Sequence, residues 1–182
     1  MEQGIDRRKS LQLLGGAALM AAAGGVRAAG GDEPSQGKLM PWTRGAAPAL
    51  SALTMEGRKV TLQDYVGEPL ILNFWASYCG PCRLEMPTFS MLLDLYSDKK
   101  LRVLAVNHGE MPARIAQFLQ AVPFTGDVLL DRSQKQLAAW GGRALPTSFI
   151  IDAKGRVRFW HIGELDWTAW DAQSKLQQVI EG

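Results

Sequence analysis

From residue 69 onward the apolar residues fall into runs with clear periods. "PLILNFW" (69–75) is a continuous apolar stretch suited to a strand buried on both faces. Residues 80–98 then place Leu84, Met91, Leu92, Leu95 and Tyr96 at mostly helical spacing, with Pro87 expected to kink the helix. "LRVLAVN" (101–107) predicts a second buried strand, and "PARIAQFLQAV" (112–122) a helix opened by proline at its first turn. "DVLLD" predicts a third strand. "SQKQLAAWG" predicts a short helix with Ser133 as N-cap and Gly141 as its stop. The period then drops to two in "TSFIID" and "RVRFWHI", a hairpin turning at Gly155, and an amphipathic helix from Asp166 to Ile180 ends the chain. The order βαβα, β, α, ββ, α predicts an α/β fold with a central mixed sheet and helices on both faces.

Upstream, "ALSALTMEGRKVTL" alternates on either side of Glu56-Gly57 and predicts a small N-terminal hairpin extension, followed by one helical turn in "LQDYVG". Residues 29–47, rich in Gly, Pro and polar groups, carry no period and read as a linker, so the folded domain is expected over 48–182. Before it, "DRRKS" and an uncharged stretch from Leu11 to Val26 form the layout of a signal peptide over residues 1–28, with cleavage expected after Ala28. The stretch is too short and too weakly apolar for a comfortable membrane span of about 20 residues. Arg7-Arg8 ahead of a Gly/Ala-rich segment resembles a twin-arginine signal, although Ser10 stands where that motif prefers an apolar residue; ordinary secretion and an uncleaved anchor are the alternatives.

Composition narrows the classes of partner. At 182 residues, 47% hydrophobic and 21% charged, the chain can bury one sizeable core without a metal or disulfide staple. Its formal net charge of +2 is carried entirely by the first 27 residues, so the remainder is neutral and offers no basic surface for nucleic acid.

The chemistry then rests on two cysteines, Cys79 and Cys82, directly behind the first buried strand. As a staple they would close a loop too short to constrain the unfolded chain appreciably. As a metal site they lack partners, because His108 and His161 lie in separate segments without ligand spacing. Redox chemistry fits the local geometry better. At a strand-to-helix junction the Cys79 sulfur lies beside the unpaired N–H groups of the first helical turn, which stabilise a thiolate, the species that attacks disulfides. Cys82, one turn on, is placed to resolve a mixed disulfide. Gly80 lets a substrate backbone approach, and Pro81 suits a first helical turn.

"NFWASYCGPC" resembles the thioredoxin active-site segment. "CRLEMP" after it and "LPTSFIID" at 145–152 resemble the TlpA/ResA/CcmG-like branch of extracytoplasmic thiol-disulfide oxidoreductases, over the chain from about Pro48 to its end. The resemblance implies a thioredoxin fold with Cys79 and Cys82 as a redox-active disulfide. It implies that Pro146 is a cis-proline against the cysteines, leaving the Leu145 backbone free to pair with an extended substrate; by itself Pro146 reads equally well as a strand-entry proline. It implies that Glu85 tunes thiol ionisation, where spacing alone favours a solvated helix carboxylate.

Two positions depart from the pattern. Asn73 stands where cytosolic thioredoxins carry a buried Asp, and it cannot act as a base. Tyr78 stands beside the first cysteine where a Trp is usual, so substrate contacts at Tyr78, Gly80, Pro81 and Leu145 keep an aromatic rim of altered shape. The resemblance further implies no cofactor, client proteins bearing disulfides or thiols, a membrane thiol donor of the DsbD/CcdA type, a monomer, and a periplasmic or other extracytoplasmic location. The direction is expected to be reducing, in apocytochrome c or copper-site maturation; a dithiol oxidant and a non-catalytic binding module are the alternatives. Trp75 is expected in the core, and Trp160, Trp167 and Trp170 between hairpin and last helix. His108 and His161 are expected in a loop and a strand with no catalytic part.

Overall fold

The computed structural model describes residues 37–182. The export signal read at 1–28, and the linker as far as residue 36, lie outside the described residues. The strands among the described residues are β1 (Met40–Pro41), β2 (Ser51–Thr54), β3 (Lys59–Thr61), β4 (Leu70–Trp75), β5 (Arg102–His108), β6 (Asp127–Asp131), β7 (Thr147–Ile151) and β8 (Val157–Ile162). They form one sheet in the order β1-β8-β7-β4-β5-β6-β2-β3. The β4-β5 and β5-β6 pairs are parallel, the rest antiparallel, so the sheet is mixed. Each parallel connection passes through a helix, α1 (Gly80–Leu95) or α2 (Pro112–Ala121), as parallel neighbours require. A short α3 (Gln136–Ala139) precedes β7, and α4 (Trp170–Glu181) ends the chain.

The two faces of the sheet are covered unequally. One face, carrying Ile71, Val103 and Ile150, packs under α1, α2 and α4 through Met86, Phe89, Ile115, Phe118, Leu176 and Val179. The other, carrying Leu72, Phe74 and Phe149, is closed by Leu62 of a 3-10 turn (Leu62–Tyr65), Leu137 of α3 and the indoles of Trp140 and Trp160. Ring centroids of 5.0 Å between Trp140 and Phe149 and 6.2 Å between Phe74 and Phe149 put these aromatics in edge-on contact. The expected helices on both faces are therefore three against one four-residue helix and a 3-10 turn, with aromatic side chains completing the thinner layer.

Several local expectations need correction. The segment read as linker supplies β1, which pairs Met40 with Trp160, and Leu39 before it is buried, so the ordered fold begins ahead of residue 48. The apolar stripe of α1 is not the one the spacing suggests: Leu84, Met91 and Leu95 are exposed, and the inward face is Cys82, Glu85, Met86, Phe89 and Leu92. A buried carboxylate within the inward stripe breaks the hydrophobic period and shifts the apparent face. Ser133 does not cap α3; the Asp131 carboxylate accepts from Gln136 N–H at 2.7 Å, while Ser133 hydrogen-bonds Asp131. The last helix starts at Trp170 because Asp166 turns back to accept from Thr168. Trp170 is 83% exposed, and Trp160 lies on the sheet face away from α4. Of the three tryptophans grouped at this end, Trp167 alone packs against a helix of the redox face, on Phe89 at 5.2 Å. His108 is the last residue of β5 rather than part of a loop.

Candidate active site

Strand β4 is buried along its whole length, and it delivers the chain to the cysteines through Ala76, Ser77 and Tyr78. Ser77 is clamped there by Glu110, whose carboxylate accepts from Ser77 N–H at 2.6 Å and from the Ser77 hydroxyl at 2.5 Å. Asn107 donates to the same carboxylate at 2.7 Å and accepts from Glu110 N–H, which closes a turn after β5. Arg114 Nε approaches Ser77 Oγ at 3.2 Å. Burial pushes the Glu110 carboxyl up, but the bonds from Asn107 and Ser77 outweigh it and hold the group below its ordinary value.

Cys79 is the N-cap of α1, in extended conformation, with Pro81 in the first turn. Its Sγ accepts from Cys82 N–H at 3.3 Å, so the sulfur lies on an orphan donor of the helix terminus. The two cysteines are joined in a disulfide with Cα atoms 5.3 Å apart. Their access differs: Cys79 is 9% exposed and Cys82 is 1% exposed. Tyr78 is exposed beside them, and so are Gly80 and Pro81. The Leu145-Pro146 peptide is cis, and the Pro146 carbonyl accepts from Gly163 N–H at 2.8 Å, which ties the start of β7 to the loop after β8.

Glu85 is not a solvated carboxylate. It is 3% exposed on the inward face of α1, three residues after Cys82. Burial drives its carboxyl up to about 8, with the Glu164 charge adding to the rise; the backbone N–H of Leu165 and the amide of Asn73 pull it back. Leu165 N–H donates to Glu85 Oε1 at 2.7 Å, and Asn73 Nδ2 faces Oε2 at 3.4 Å while donating to Ser148 Oγ at 2.9 Å. A carboxyl whose proton affinity lies in the range of a thiol, on the helix face of the buried cysteine, can exchange a proton with it near neutral pH.

Sequence reasoning singled out Cys79, Cys82, Glu85 and Pro146. It missed the Ser77–Asn107–Glu110–Arg114 clamp and the contacts of Ser148 and Leu165. The Asn-x-x-Glu spacing at the end of β5 was a local signal for part of the clamp; Ser148 and Leu165 meet the site across 75 and 80 residues of chain, with no local pattern. No group of three or more His, Cys, Asp or Glu among the described residues could hold a metal ion.

Comparison with known proteins agrees with this geometry. The model of the AhpC/TSA family matches residues 43–160. The thiol-disulfide oxidoreductase ResA of Geobacillus thermodenitrificans is 38% identical over 112 residues, which are 62% of this chain and 64% of that protein. The chain thus spans just under two thirds of that relative's length. The thioredoxin-like protein YneN of Bacillus subtilis is 36% identical over 133 residues, 71% of this chain and 76% of that one. Among solved structures, the thiol:disulfide interchange protein DsbE of Chlorobium tepidum superposes with a TM-score of 0.69 at 28% identity, covering 81% of this chain and 99% of its own. With a mixed helix-flanked sheet, a Cys-Gly-Pro-Cys helix N-terminus and these relatives, the chain belongs to the AhpC/TSA family, with the thioredoxin fold of its ResA-like thiol-disulfide oxidoreductases.

Proposed function

We propose that this protein is an exported thiol-disulfide oxidoreductase that reduces disulfides in client proteins of the apocytochrome c or copper-site maturation type. The observation that carries the reading is the asymmetry of the dithiol: Cys79 reaches the surface at a helix N-terminus, while Cys82 is sealed beside a buried carboxyl that holds a proton to about pH 8. In the reduced protein, helix N–H groups stabilise the Cys79 thiolate, which attacks one sulfur of the client disulfide. A mixed disulfide forms and the other client sulfur leaves as a thiolate. Cys82, its proton taken by the ionised fraction of Glu85, then attacks Cys79 Sγ. The Cys79–Cys82 disulfide forms, the second client thiolate is released, and two electrons have passed from the protein to the client. A dithiol donor of the membrane DsbD/CcdA type returns the pair to its reduced form. Tyr78, Gly80 and Pro81, exposed beside Cys79, together with the Leu145 backbone are assigned to contact with the client chain.

Direction and client are read by two measurements. A reduction potential near about −270 mV supports a reductase, whereas one near about −120 mV makes the protein a disulfide donor. With Cys82→Ser, the mixed disulfide on Cys79 cannot resolve, so clients accumulate as covalent adducts. Recovery of cytochrome precursors or copper-site proteins supports the maturation role; a broad mixture, or no adduct at all, sinks it. Export is tested by fusing residues 1–35 to a reporter active only outside the cytoplasm, where silence overturns the periplasmic placement.

A further inference from the structure

Three strands contribute one residue each to a polar row across the helix-covered face of the sheet. Asn73 of β4 lies opposite Ser148 of β7, and Ser148 lies opposite His161 of β8. Directly opposed residues point to the same side of a sheet. All three are buried, with exposures of 1%, 0% and 1%. At one end of the row Asn73 reaches Glu85 directly. At the other end the His161 ring is clasped between two backbone carbonyls, Nδ1 lying 2.8 Å from Lys38 O and Nε2 lying 3.2 Å from Glu164 O.

The Glu164 carbonyl and the Leu165 N–H belong to one peptide group, and that N–H is the 2.7 Å donor to Glu85 Oε1. A hydrogen bond accepted at one end of a peptide polarises it and strengthens donation from the other. Carbonyl oxygens only accept, and a neutral imidazole offers one N–H while an imidazolium offers two. The singly protonated ring therefore donates to one of the two carbonyls, and the doubly protonated ring to both.

We propose that His161 is a positioning residue for Glu85, acting through the Glu164–Leu165 peptide that carries the carboxylate's shortest hydrogen bond. The further step, that this tunes the thiols, rests on the reading of Glu85 as the proton acceptor of Cys82. Ring protonation favours the ionised carboxylate and the ionised carboxylate favours ring protonation, because linkage is reciprocal. The other charged or polar groups around the pair act on one end only. Glu164 repels the Glu85 charge, and the Trp167 indole and Asn73 amide face the carboxylate. Lys175 of α4, paired with Asp171, donates to the Leu39 carbonyl, one residue from the Lys38 carbonyl that meets the ring.

The test is a pH titration of the oxidised full chain by NMR, following the Glu85 side-chain carboxyl carbon and the His161 ring nitrogens. In His161→Phe the Glu85 midpoint should rise by about half a unit or more, as expected when a hydrogen bond to the ionised form weakens. An unmoved Glu85 midpoint in the folded variant overturns the inference. Should His161→Phe fail to fold, Glu85→Gln decides, since it must displace the His161 ring titration; an unchanged ring curve overturns it equally. The two readings fall separately. Full reductase activity in Glu85→Gln with a displaced His161 curve removes only the proton-acceptor role, and an impaired Glu85→Gln with uncoupled titrations removes only the His161 link.

Discussion

The two faces of the sheet are built from neighbouring residues on the same strands, yet they do opposite things. On β4, β7 and β8 the pairs Asn73/Phe74, Ser148/Phe149 and His161/Trp160 alternate between a polar row and an aromatic layer, with every one of the six buried. The aromatic face gains free energy from burying large apolar surfaces against one another. The polar face spends part of that gain: a carboxyl, an amide, a hydroxyl and an imidazole are all removed from water and must find partners inside. Because alternation on a strand has a period of two, one set of strands can carry a stabilising layer and a chemically tuned one back to back. The thin face, with its four-residue helix, backs the strands beneath the site, and the thick face holds the site.

Truncation on each side should separate the two roles. Phe149 is fully buried and meets Trp42, Phe74, Trp140 and Trp160 at 5.0–6.5 Å between ring centroids. Phe149→Ala should cost about 3–5 kcal/mol by denaturant unfolding. Its turnover per folded molecule should stay near the native value, since no contact runs from this ring to the cysteines. A variant that stays stable but loses activity would show that the aromatic layer does more than support.

Glu85→Gln should act the other way, on pH dependence. The carboxyl is raised from an ordinary value of 4.5 to about 8. The native state therefore holds a proton that the unfolded chain has released, and stability falls as pH rises between these values. Below about pH 4 the group contributes nothing either way; above about pH 8 its full cost is present. Between pH 5 and 8 the native protein should lose about 3 kcal/mol relative to Glu85→Gln. The difference of two unfolding series, both in the oxidised form, cancels every group that does not interact with Glu85. Parallel curves would mean that the carboxylate is solvated or matched by a charge near it.

The site was legible in the sequence only where its parts are local. Cys79 and Cys82, the proline between them and Glu85 one turn later fall within seven residues, so a helix and its N-terminus are enough to relate them. Pro146 lies 64 residues beyond Cys82 and came through the family motif around it. The polar row did not. Ser148 and His161 reach Asn73 only through the register of β7 and β8, and a one-residue slip in either strand would turn them to the aromatic side. The face of α1 was misread for a related reason: pattern reading assigns charged residues outward, and here the inward stripe includes Glu85, while Leu84, Met91 and Leu95 face out. Both failures occur at the site, where local rules give way to chemistry.

A second carboxylate sharpens the contrast at a smaller scale. Glu110, beside the strand that leads to Cys79, accepts from Ser77 and Asn107 and is held below its ordinary value although burial opposes this. Its linkage therefore has the sign opposite to that of Glu85. The stability it supplies is present above the unfolded value of 4.5 and disappears as pH falls through the lower native one. Glu110→Gln should cost about 1 kcal/mol at neutral pH, because an amide can keep the Ser77 N–H and Asn107 amide on its one acceptor oxygen, as Oε2 does, but loses the charge and the second oxygen that accepts from the Ser77 hydroxyl. The penalty should shrink towards zero in acid. Glu110 also fixes the peptide two residues before Cys79, so the same variant should slow attack on a disulfide more than it destabilises the fold. Stopped-flow reaction of the reduced protein with a small disulfide, set against its unfolding free energy at the same pH, measures both. A rate that follows stability alone would reduce the clamp to a turn, whereas a slower rate at unchanged stability in acid would place Glu110 with the redox face.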